Sequence, residues 1–307
     1  MRSGAWVGLL ARGEDGLEGA RRDVEMLGGK ALVLPCDVAD ADAVEAAAEL
    51  VEREFGPIDV WVNNAMVSVF SPFLEMKPEE FERVVRVTLL GYVHGTRAAL
   101  RRMVPRDRGH VVQVSSALAF RSIPLQSAYC ASKHGIAGFT ESVRTELLHA
   151  RSRVTLSMVH LPAVNTPQFA WTRSRLTKKA QPVPPIFDPV VPAKAIYWAA
   201  HHRRRDITVG WSSLRAIIAD KFAPRLLDHV AAKRGWDGQL TDQPEDPNRP
   251  DNLFAPLPGD HRARGAFRDE SKKRSPLTWL NLRRNWIAGA LAAIGAGGYA
   301  ARRLAWT

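Results

Sequence analysis

Five short runs, WVGLLA, KALVLPC, IDVWVNN, GHVVQVSS and RVTLSMVH, are rich in Val and Leu and almost unbroken in hydrophobicity. A strand with one wet face alternates apolar and polar residues, so runs of this kind must be buried on both faces. They are separated by segments of helical periodicity over 14–27, 41–55, 78–103 and 127–150. A parallel sheet covered by helices satisfies both patterns. The spacing predicts a doubly wound α/β fold, with ligands bound beyond the carboxyl ends of the strands. Asp40 is placed to cap the second helix, and Gly56-Pro57 to stop it.

The same alternation runs to about residue 210, which sets a first domain at 1–210 and an extension at 211–307. Within the extension 211–234 read as helical, whereas QPEDPNRPDNLFAPLP over 243–258 is dense in Pro and Asp and reads as an extended linker, followed by a charged stretch to Arg274. Residues 286–301, WIAGALAAIGAGGYAA, are uncharged and flanked by arginine pairs. As a helix they reach roughly 24 Å, short of the ~30 Å hydrocarbon core. Two readings stay open: contact with a membrane interface, and a helix docked on protein.

The net charge of +11 falls mostly after His201. Neither a recognition motif nor an aromatic stacking platform accompanies that charge, so nucleic acid is not an expected partner. Two cysteines, Cys36 and Cys130, stand in no metal-type spacing and suit a reducing compartment. MRSGAWVGLLARG lacks the long apolar core of a secretory signal, and a cytoplasmic protein, with or without membrane attachment, is expected. HHRRR at 201–205 reads as a solvated turn, not a metal site. His160 and Trp171 are candidates for a substrate entrance.

Chemistry gathers at two strand ends. Ser116 closes GHVVQVSS, Tyr129 follows 13 positions later, Lys133 stands one helical turn further on, and Asn63 and Asn64 close IDVWVNN. In a doubly wound sheet these positions converge at one edge. VNNA, the serine pair, the interval to tyrosine and YxxxK together closely resemble the short-chain dehydrogenase/reductases over residues 6–210.

The resemblance implies a role for each position. Tyr129 would be the acid or base at the substrate oxygen. A phenol of ordinary pKa near 10 needs help to act as a base. Lys133 would supply it and hold the cofactor ribose, while Ser116 would polarise the substrate carbonyl. Asp37 and Val38 would flank the adenine, Asn64 would steady the sheet centre and line the groove, and Thr166 would contact the carboxamide. Arg12 stands where members that prefer NADP carry a base for the 2′-phosphate, so NADP is favoured and NAD is the alternative. The implied activity is interconversion of a carbonyl and a secondary alcohol on a small molecule, in a homo-oligomer built through the long helices. A non-catalytic scaffold is the competing expectation.

Three positions depart from the pattern. Thr88 occupies the place of a catalytic Asn, where its hydroxyl could hold a relay water. Met66 and Ala163 replace glycines. The largest departure is at the start, because Trp6 to Ala11 matches the family's second strand and the first strand with its phosphate loop has no counterpart. Gly13, Gly16 and Gly19 have glycine spacing but precede an ordinary amphipathic helix. The fold class is thus a Rossmann-like, N-terminally truncated sheet with unpaired central edges and a C-terminal helical and linker extension. A reading frame that begins upstream is expected, a true fragment being the alternative.

Overall fold

The computed structural model describes residues 4–284. Its elements, in chain order, begin with β1 (Trp6–Ala11), α1 (Glu14–Met26), β2 (Lys30–Pro35), α2 (Ala41–Phe55), β3 (Val60–Asn63) and β4 (Val69–Phe70). Then follow α3 (Pro78–Val85), α4 (Gly91–Met103), β5 (His110–Ser116), α5 (Ser127–His149), β6 (Thr155–Leu161), α6 (Gln168–Trp171), β7 (Arg173–Ser174) and β8 (Lys178–Ala180). The last are α7 (Val190–His201), β9 (Asp206–Thr208), α8 (Trp211–Phe222), α9 (Pro224–Val230) and β10 (Leu240–Pro244).

The main sheet has the order β3-β5-β6-β9, parallel throughout. Adjacent residues of β5 explain its continuous hydrophobicity. Val111 packs with Val44, Ala98 and Leu147 from α2, α4 and α5, while Val112 turns to the other face and meets Val191, Ala195 and Ala199 of α7. Asp40 caps α2 by accepting from the Asp42 and Ala43 amides, and Gly56 ends it at φ 82°, a left-handed conformation in which glycine carries no Cβ penalty.

β1 pairs in parallel with β2 and with no other strand, and the free edge of β3 faces the same space. A cavity of about 1030 Å³ lies between them, lined by Trp6, Gly8 and Leu10 on one side and Val60, Val62 and Asn63 on the other. Trp6, Val60 and Val62 remain exposed. The open edges expected from the sequence are therefore present among the described residues.

Two expectations change. The helix anticipated over 78–103 is interrupted by a π-helical turn, Arg86–Leu90, between α3 and α4. Thr88 sits on that turn, fully buried, and its hydroxyl both accepts from the Val67 amide and donates to the Val67 carbonyl. An inserted residue of this kind re-aims one side chain, here toward the loop after β3.

The stretch 243–258 is not a free linker either. β10 pairs antiparallel with β8, and Leu253 is fully buried among Val67, Met76, Val84 and Ala128. Burying one such leucine contributes on the order of 2 kcal/mol, enough to dock a chain otherwise poor in apolar groups. Among the described residues no helix is long and apolar enough to cross a membrane. The segment 286–301, given two readings above, lies outside them.

Candidate active site

Ser116 is the last residue of β5, and the 3₁₀ turn that follows orients it, because its Oγ accepts from the Leu118 amide at 3.1 Å. Tyr129 lies on the first turn of α5. Burial pushes its phenol above the ordinary value of 10, and a hydrogen bond with Ser116 draws it back in part. Such a phenol is protonated at neutral pH and suited to donate.

Lys133 is buried, and burial alone lowers its ammonium from 10.5 to about 7. Nζ donates to the Val114 carbonyl at 2.9 Å and to the Tyr92 hydroxyl at 3.2 Å, and it stands 5.5 Å from the centre of the Tyr129 ring. Tyr92 was not singled out in the sequence. It is fully buried on α4, donates to Val114 O at 2.8 Å and is held far above the usual phenol range, first by burial and then by Tyr129. Its position four residues after Thr88, on the same helical face, is the signal that could have found it.

Of the asparagine pair, Asn63 does the steadying expected of Asn64. Its amide donates to the Tyr92 carbonyl, to Thr96 Oγ1 and to Gln113 Oε1, and its carbonyl oxygen accepts from Trp61 Nε1 at 2.8 Å. Asn63 and Gln113 are cross-strand partners, so the register of β3 on β5 builds this network. Asn64 points away from it, is exposed and lines the large cavity.

Arg12, Asp37 and Val38 line the same cavity at the ends of β1 and β2. Asp37 accepts from the Ala39 amide and from Arg83 at 2.6 Å. Burial raises this carboxyl, but those two donors outweigh it and hold the group below its usual value. Ser116, Tyr129, Lys133 and Thr166 are not among the lining residues. Thr166 lies in the loop after β6, where its amide donates to Val164 O and its carbonyl backs onto Gly265.

Of the two entrance candidates, His160 is corrected. It is buried in β6, 3.2 Å from Asp206 and edge-on to Phe120, so strand pairing keeps it inside the sheet. Trp171 does line the cavity. His202 stacks on Trp198, and no cluster with metal-ligand geometry occurs among the described residues.

The residues present fit part of a dinucleotide. A cation, a carboxylate and an apolar side chain at strand ends suit an adenosine with a charged ribose. The α1 N-terminus does not suit phosphate, since Glu14 and Asp15 occupy its first turn.

A Rossmann-like sheet with serine, tyrosine and lysine gathered where β5 meets α5 defines a dinucleotide-type α/β protein. The chain belongs to the short chain dehydrogenase family, which matches residues 1–176. An uncharacterized oxidoreductase, YxnA, of Bacillus subtilis strain 168 is 31% identical over 277 residues, covering 90% of this chain and 78% of that protein. Among solved structures, a metagenomic short-chain oxidoreductase in complex with NADP is 28% identical with a TM-score of 0.56, over 68% of this chain and 86% of its own. NAD+-bound xylitol dehydrogenase is also 28% identical, TM-score 0.51, over 53% of this chain and 62% of its own, less than two thirds of its length.

Proposed function

We propose that the protein is an NADP-dependent oxidoreductase that interconverts a carbonyl and a secondary alcohol on a small molecule. The observation that carries this is the convergence of Ser116, Tyr129 and Lys133 at the carboxyl end of β5. A bound nicotinamide would supply or accept the hydride. Tyr129 gives a proton to the substrate oxygen in the reducing direction and takes one in the other. Its raised pKa favours donation, and the Lys133 ammonium supports the phenolate that results. Ser116 orients the same oxygen by hydrogen bonding.

Arg12, Asp37, Val38 and Asn64 would hold the adenosine side, and Thr166 the carboxamide. Thr88 is a positioning residue in this scheme, because both bonding capacities of its hydroxyl in use are directed to Val67. NADP is preferred to NAD on the strength of Arg12 and of the absence of an acid at the end of β1. Self-association through α4 and α5 is part of the same reading.

One observation favours a non-catalytic alternative. Lys133 is turned onto Tyr92 and Val114, and the predicted adenosine residues line a separate stretch of cavity. Assay of an alcohol and ketone panel with both cofactors separates the two. Turnover that Tyr129→Phe abolishes supports the enzyme, and no saturable cofactor binding together with no turnover supports the scaffold.

A further inference from the structure

Residues 251–261 cross the ends of β1 and β2 as a strap. Leu253 anchors it in the core, and the Leu253 carbonyl accepts from two guanidiniums, Arg12 Nη1 at 3.3 Å and Arg83 Nε at 3.1 Å. The neighbouring Asn252 carbonyl accepts from Arg12 Nη2. Two cations are thus held against one short piece of backbone, and Asp37 pairs with only one of them, Arg83. Like charges do not gather without a reason. Burial, and after it the nearness of Arg83, depresses the Arg12 guanidinium.

The strap is fixed rather than poised to move. Asp251 accepts from Arg173 at 2.8 Å and from the Leu253 amide at 3.0 Å, the Asn252 amide donates to Trp171 O, and Gly259 N donates to Asp15 at 2.6 Å. The His261 ring meets Trp171 edge-on, 4.7 Å between centres. A guanidinium has five N–H donors, so Arg12 has spent two on the strap and keeps three for a further acceptor.

We propose that the strap is a cofactor-specificity element: through the Asn252 and Leu253 carbonyls it holds Arg12 and Arg83 as a preorganised pair of cations for the 2′-phosphate of an adenine dinucleotide. The proposal rests on the reading of the cavity as an adenosine site. Bidentate-capable guanidiniums whose rotamers are already restricted bind a phosphate with less loss of freedom than mobile ones. The determinant of cofactor choice would then lie partly in the extension, some 240 residues along the chain from Arg12.

Adenosine 2′,5′-bisphosphate tests this by calorimetry, with 5′-AMP as control, because the pair differ only in the phosphate concerned. The wild-type protein is expected to prefer the bisphosphate by about tenfold or more. Asp251→Asn and Leu253→Ala should each erase most of that preference with little change for 5′-AMP, and Leu253→Met should restore it. Thermal unfolding checks that each variant is folded, and Asp251→Asn leaves the core packing intact if Leu253→Ala does not fold. Folded variants that keep the preference, bind the bisphosphate more tightly, or lose both ligands equally overturn the proposal, as does a wild-type protein with no preference. Turnover retained by Tyr129→Phe would instead overturn the catalytic reading and leave the preference standing.

Discussion

The Lys133 ammonium lies 3.2 Å from the Tyr92 hydroxyl, inside the protein and one layer behind the tyrosine expected to do chemistry. Its second bond, to Val114 O, is shared with Tyr92, so cation, inner phenol and strand carbonyl form one closed group. No carboxylate neutralises that ammonium in this group, and burial accordingly lowers its proton affinity. The phenol of Tyr129 therefore meets a cation whose charge is itself conditional on pH near neutrality.

Stability should carry that signature. The folded-state pKa of Lys133 is about 7 against 10.5 unperturbed, so between those values the unfolded chain binds a proton that the folded chain does not. Stability from this group rises with pH through that window, and the cost of burying the charge is fully felt below pH 7. In urea titrations at pH 6.5, 8 and 9.5, wild type should gain on Lys133→Met as pH rises. A constant difference between the two would show that the lysine does not titrate in this range.

Removing the Tyr129 hydroxyl should cost turnover and little else. Tyr129→Phe is expected to lower kcat by about 10²–10⁴, the usual contribution of a general acid, with the melting temperature nearly unchanged. Steady-state rates with NADPH and circular dichroism measure the two effects on one preparation. Wild-type rates in the variant would end the case for Tyr129 as the proton carrier.

Glu80 should be among the costliest surface-to-core ties to cut. Its carboxylate is completely buried and pairs with Arg173 at 3.0 Å and Arg175 at 2.6 Å, linking α3 to β7. Burial raises its pKa, but the Lys77 amide and the two guanidiniums more than offset this and keep it ionised. Glu80→Gln leaves two partly buried cations short of a partner and should destabilise by about 3 kcal/mol. Denaturant unfolding checks the value, and a loss well under 1 kcal/mol would mean that solvent takes over the arginines.

Asn63 should tolerate no apolar replacement. Asn63→Leu strands Trp61 Nε1 and removes one partner each from Thr96 and Gln113, for a loss of about 2 kcal/mol. Asn64→Leu, exposed on the cavity, should shift stability by less than about 0.5 kcal/mol. The contrast is read from paired melting curves, and equal effects at both positions would contradict the network.

Strand ends were legible because burial writes itself into composition. GHVVQVSS and IDVWVNN are continuous apolar runs, their last polar residues fall at the carboxyl edge, and Ser116 and Asn63 stand there. The cap at Asp40 and the stop at Gly56 are local and were readable for the same reason. What Asn63 and Asn64 each do was not, because adjacent residues on a strand face opposite ways and only the pairing with β5 decides which is inside. The strap was misread altogether: a stretch of Pro and Asp has too little apolar surface to announce a docked segment, and one leucine suffices once other elements have built its pocket.

By itself the sequence determined the alternation of strand and helix, the order of the strand ends and hence the meeting of Ser116, Tyr129 and Lys133, all of which follow from local periodicity and short spacing. Only the tertiary structure decided that Lys133 turns inward to Tyr92, that Asn63 and not Asn64 holds the sheet centre, and that Leu253 carries the far end of the chain back to Arg12. Those contacts join residues distant along the chain through packed surfaces, and the shape of a packed surface is a property of the assembled fold, not of any one segment.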